Sequence, residues 1–84
     1  MNINIGNQNK AIQHTSFKDL VNANAIRRIE VHNDGKWWLL IYVGNIERIL
    51  SAKRGHVRKF ASLNTVEKYL RSVGVQRFNV EMIQ

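Results

Sequence analysis

The residues with the most chemistry to offer lie between Arg48 and Lys59. Five cations (Arg48, Lys53, Arg54, Arg58 and Lys59), one histidine (His56) and no acid occupy that stretch. Lys53-Arg54-Gly55-His56 sets cations on both sides of a glycine turn, where backbone N–H groups are also exposed. Such a tip can sit on a phosphate, with Arg48, Arg58 and Lys59 extending the contact along the flanking chain. Reading bases would require arginines in a major groove, which admits a β-ribbon as well as a helix. The competing account is a solvated hairpin whose charges only discourage edge-to-edge pairing.

Catalytic chemistry has much weaker footing. A reaction site needs convergent groups with shifted pKa values. The six acids are dispersed, no two within three positions of each other, and Ser51, Ser62 and Ser72 have no His/Asp partners nearby in the sequence. Neither a phosphate-cradling G-x-x-x-x-G-K-[ST] nor a G-x-G-x-x-G is present. Cysteine is absent, and His14, His32 and His56 are far apart without metal-ligand spacing. The expectation is a non-enzymatic binding protein with no cofactor and no metal.

Charge points the same way. The 84 residues carry a net +7, with a sequence pI near 10.4. Residues 1–24 contribute two cations and one acid, or +1; residues 25–84 contribute eleven cations and five acids, or +6. So strong an excess favours a polyanionic partner, although it also serves simple solubility. No apolar run approaches membrane-spanning length and no signal peptide is visible, so a soluble cytoplasmic protein without a membrane partner is expected.

The elements that must position the basic stretch begin with Trp37-Trp38-Leu39-Leu40-Ile41-Tyr42-Val43. Seven apolar or aromatic residues between Asp34-Gly35 and Gly44-Asn45 read as a strand covered on both faces. Period two sends Trp37, Leu39, Ile41 and Val43 one way, and Trp38, Leu40 and Tyr42 the other. Ile26 to His32 reads as a preceding strand, Ile46 to Lys53 as a third, and His56 to Phe60 as a short fourth. Leu63, Val66, Leu70 and Val73 form one apolar helix stripe, capped by Ser62 or Asn64 and stopped by Gly74. Arg77 to Met82 alternates as a final edge strand.

In front, Ser16-Phe17-Lys18-Asp19 has the shape of a helix-starting capping box, and residues 1–15 read as a mobile arm. The spacing therefore predicts two parts: residues 1–24 as an arm with a short helix, and 25–84 as a basic α+β domain. The predicted order is an antiparallel β-β-β-β-α-β meander with one amphipathic helix on one sheet face. That helix can pack on either face of the central strand. Trp38, Leu40 and Tyr42 are then covered by the front helix, by a second copy, or by unpaired bases. A homodimer is the expectation, and with it double-stranded DNA, whose sites match two-fold symmetry. Arg27-Arg28, and Arg71 with Arg77, widen the positive surface or are ordinary solvated positions.

The stretch G-K-W-x-L-x-I-Y, a basic strand, then R-K-F-x-S-L-x-T-V-x-x-Y-L resembles the arm-type DNA-binding domains of tyrosine recombinases. Ile26 to Met82, with G-V-x-x-F-x-V after the helix, is also similar to ParC-like, partition-associated plasmid proteins. The recombinase resemblance implies that Arg48, Lys53, Arg54 and Arg58 occupy the sheet region such arms apply to DNA. The final strand and the Asn-rich arm depart from that pattern. The plasmid resemblance implies an accessory role in maintenance, partition or regulation. The alternative is a module that pairs through its sheet with a partition or regulatory protein.

Overall fold

The computed structural model describes residues 10–81. Strand β1 (Ala11–Ile12) leads into helix α1 (His14–Asn22). Strands β2 (Arg28–Asn33), β3 (Trp37–Val43) and β4 (Ile46–Leu50) follow, then helix α2 (Leu63–Ser72) and strand β5 (Asn79–Glu81). The five strands form one sheet in the order β1-β4-β3-β2-β5. The α+β class holds. β2, β3 and β4 pair antiparallel as consecutive hairpins, but β1 runs parallel to β4 and β5 parallel to β2. The sheet is therefore mixed, not an antiparallel meander. Alternation shows which side chains face inward, but it does not encode the direction in which a strand returns from a helix.

The fourth strand is also corrected. Residues 56–60 form only isolated bridges, Ser51 with Val57 and Trp37 with Phe60. β4 ends at Leu50, and Phe60 takes the place beside Trp37 that its continuation would have filled. Phe60 and Trp37 exchange both backbone hydrogen bonds, at 2.8 and 2.9 Å. At the front, Ala11 and Ile12 belong to the sheet and not to a free arm; residues 1–9 lie outside the described residues. The Ser51 amide and hydroxyl both donate to the Ile12 carbonyl, at 2.8 and 3.1 Å, which ties this edge down.

Both helices cover the same face. Phe17 of α1 and Val66 and Leu70 of α2 are fully buried with Val31, Leu39, Ile41 and Leu50. Each such side chain contributes about 1.5–3 kcal/mol by leaving water. The Trp37, Leu39 and Ile41 face is thus the core, and the front helix does not cover Trp38, Leu40 and Tyr42. α1 starts at His14 with Gln13 as N-cap, so the capping box at Ser16 is not used. α2 is capped by Ser62, whose hydroxyl accepts from the Thr65 amide at 3.2 Å; Asn64 lies inside the first turn. Its end is a Schellman turn: the Gly74 amide donates to Arg71 and the Val75 amide to Leu70, with Gly74 at φ +98°.

Candidate nucleic-acid interface

The basic stretch does not form one surface. Its tip is a tight loop after β4, closed by the Gly55 amide on the Ala52 carbonyl (2.9 Å) and the Ala52 amide on the His56 carbonyl (2.8 Å). Lys53, Arg54 and His56 are exposed on it. The Gln13 side chain donates to the Lys53 carbonyl at 3.0 Å, so the loop is anchored to the start of α1. The Lys53 and Arg54 side chains form no ion pair among the described residues. Two charges are therefore presented outward on a backbone that is already folded, which lowers the ordering cost of meeting an anion.

Arg58 and Lys59 are committed elsewhere. The Arg58 guanidinium lies over the rings of Phe60 and Tyr69, 5.0 and 4.7 Å from their centroids. Lys59 Nζ is 2.9 Å from the Asp34 carboxylate in the β2–β3 turn, and that contact holds the Asp34 carboxyl below its ordinary pKa. Burial pushes the Tyr69 hydroxyl up, against the nearby Arg58 charge. The same hydroxyl is 2.9 Å from His14 Nδ1, joining the two helices.

Arg48 belongs to a second cationic cluster near the other end of β4. It stands opposite Ile41 on the helix side of the sheet and lines an open groove with Lys10, Arg27, Tyr42, Asn45, Ile46 and the one acid Glu47. Arg27 donates from Nε to the Gly44 carbonyl at 2.9 Å, with its guanidinium 5.4 Å from the Tyr42 ring centroid. Lys10 is the addition that sequence reasoning did not reach. It is distant along the chain, and only the parallel β1–β4 pairing brings it beside Glu47, at 3.7 Å.

Trp38, Leu40 and Tyr42 share the outer sheet face with Arg28, Glu30 and His32 of β2 and Glu47 and Ile49 of β4. No described helix packs there. Trp38 stacks on His32 with ring centroids 4.7 Å apart. His32 Nε2 is 3.0 Å from Glu30 Oε1, while its buried Nδ1 has no partner among the described residues. Glu30 also receives Arg28 at 2.7 Å and the Tyr42 hydroxyl at 3.4 Å. The hydrogen bond from His32, with Arg28 and Tyr42 assisting, holds the Glu30 carboxyl below its ordinary pKa despite partial burial. Burial, with Glu30 and Glu47 close by, raises the Tyr42 pKa.

This fold, with its exposed basic loop beyond β4, coincides with a match to a family model described as ParC-like, over residues 12–84. The chain belongs to the ParC-like family. No curated protein matches it. The ParC-like match takes in α1, strands β2 to β4, α2 and β5, so the family unit begins within the region read from sequence as the arm. The likeness to recombinase arms is not carried by this match. No described helix is long and apolar enough to cross a membrane.

Proposed function

We propose that this ParC-like protein is a non-enzymatic DNA-binding accessory protein acting in plasmid maintenance, partition or regulation. The exposed, anchored tip Lys53-Arg54-Gly55-His56 meets phosphates, and Arg27 and Arg48 supply a second cationic contact along β4. The observation that carries this reading is the pair of outward cations, Lys53 and Arg54, on a hydrogen-bonded turn with no acid paired to them among the described residues. Duplex DNA is favoured over single strands. Stacking bases would need free aromatic faces, yet Trp38 is engaged by His32 and Tyr42 lies among Arg27 and two glutamates.

Fluorescence anisotropy with labelled duplex at two salt concentrations tests it. Affinity should fall steeply with salt, and K53A/R54A should weaken binding by about tenfold with the fold intact. Equal binding by the double variant removes the tip as the contact. The alternative reading, a module pairing with a partition or regulatory protein through its sheet, draws on the outer face. It predicts no salt-sensitive duplex binding at all.

A further inference from the structure

The outer face of the sheet has a composition unlike the rest of the molecule. Three of the six acids, Glu30, Glu47 and Glu81, align on it, with Arg28 as the one arginine in the same rows. They are largely neutralised in place: Arg28 reaches both Glu30 (2.7 Å) and Glu81 (3.7 Å), and Lys10 reaches Glu47 (3.7 Å). Counting these two cations and three acids, the patch carries −1. The remainder of a +7 chain is therefore +8. At its centre Trp38, Leu40, Tyr42 and Ile49 are only partly buried, with no described element above them.

We propose that this face is the contact surface for a second copy of the chain, stacked sheet on sheet with the helices outward. Charge selects the occupant. Two copies at +7 repel wherever their cationic surfaces meet, whereas the outer face brings together apolar side chains and ion pairs made within each copy, with only −1 left on each face. Phosphate is the poorest fit, because Glu30, Glu47 and Glu81 would face it. Geometry agrees with the choice. A sheet with hydrophobic residues on both sides needs a layer on each, and a second sheet packs at about 10 Å.

The size of the face sets the strength. The strands are unequal: β3 has seven residues, but β1 has two and β5 three. At about 3.3 Å along and 4.8 Å between strands, the face covers roughly 360 Å² in plan per copy. Two such faces bury on the order of 700 Å², below the size of a stable specific interface. The association is accordingly weak and reversible, and dimer accumulates only toward the upper end of a micromolar-to-millimolar range.

Sedimentation equilibrium of the DNA-free protein, from low micromolar to millimolar, decides it independently of any nucleic-acid role. The mass should rise from 9.8 kDa toward twice that value. L40K and I49K, both on the outer face, should each remain at the single-chain mass with an unchanged circular-dichroism spectrum. In a W37F background, acrylamide quenching of Trp38 should fall as the parent associates. A single-chain mass throughout overturns the proposal and leaves the face to a different protein. A dimer that persists in a folded L40K or I49K variant, or one that forms without protecting Trp38, also overturns it by placing the contact elsewhere.

Discussion

The guanidinium of Arg58 lies 4.7 Å from the ring centroid of Tyr69, on the helix side of the sheet. A cation held between the basic loop and α2 is a packing element before it is a ligand contact. Its neighbours Lys53 and Arg54, five and four positions earlier, have no such engagement among the described residues. The charges that look equivalent in the sequence therefore separate into two kinds.

Arg58→Ala should lower the thermal midpoint, by an amount corresponding to about 0.5–1 kcal/mol for the lost cation–π contacts plus the packing of its stem. K53A/R54A should leave the midpoint unchanged and weaken duplex binding instead. Thermal melts beside anisotropy on both variants check the separation. If Arg58→Ala melts with the parent, the ring contacts are not holding the loop to the helix.

Leu70→Ala should cost about 2–5 kcal/mol, since the side chain is fully buried between sheet and helix. Small domains hold about 5–15 kcal/mol in all, so the loss should be plain in a denaturant melt. An unchanged midpoint would contradict the assignment of the α2 stripe to the core.

What the sequence made legible follows from the range of each signal. Turn residues, the α2 stripe and the alternation of β3 act over a few positions, and they placed α2, β2, β3 and the β2–β3 and β3–β4 hairpins correctly, but not the expected third hairpin at Arg54-Gly55. The face of β3 that receives the helices was not legible, because Trp37 and Trp38 lead two almost equally apolar sets. The parallel edges were missed for a related reason: two residues in β1 and three in β5 are too few to show a pattern. At the candidate site the exposed tip was readable as a local run of charge. The diversion of Arg58 to Tyr69 and of Lys59 to Asp34 depends on partners 11 and 25 positions away, beyond any local signal.

Acid should weaken the fold partly through Glu30. His32, Arg28 and Tyr42 hold its folded-state pKa below the unfolded value, so its contribution is fully present above about 4.3 and is lost as pH falls through the lower folded value. The midpoint difference between the parent and Glu30→Gln should therefore be largest near neutrality and shrink at acid pH. A difference that stays constant across that window would show that the carboxylate charge is not what the network stabilises.

Asn24 closes α1 as Gly74 closes α2. Its φ is +57°, its amide donates to the Val21 carbonyl at 3.0 Å, and the Ala25 amide donates to Leu20 at 2.9 Å. The pairing repeats the Schellman pattern at Gly74, with asparagine in the left-handed position that most side chains avoid. Asn24→Ala should cost about 1 kcal/mol, because a plain Cβ gains nothing in that backbone conformation. Asn24→Gly relieves the steric cost but loosens the unfolded chain, so it should fall within a few tenths of a kcal/mol of the parent. Gly74→Ala should behave like Asn24→Ala. Its new Cβ would meet Val21 Cγ1 at 3.6 Å, an ordinary contact, so the cost comes from φ +98° and not from crowding. Urea melts of the three variants test the point together: equal midpoints for Asn24→Ala and Asn24→Gly would mean that α1 frays before Asn24 and that the turn is not holding the helix end against the sheet.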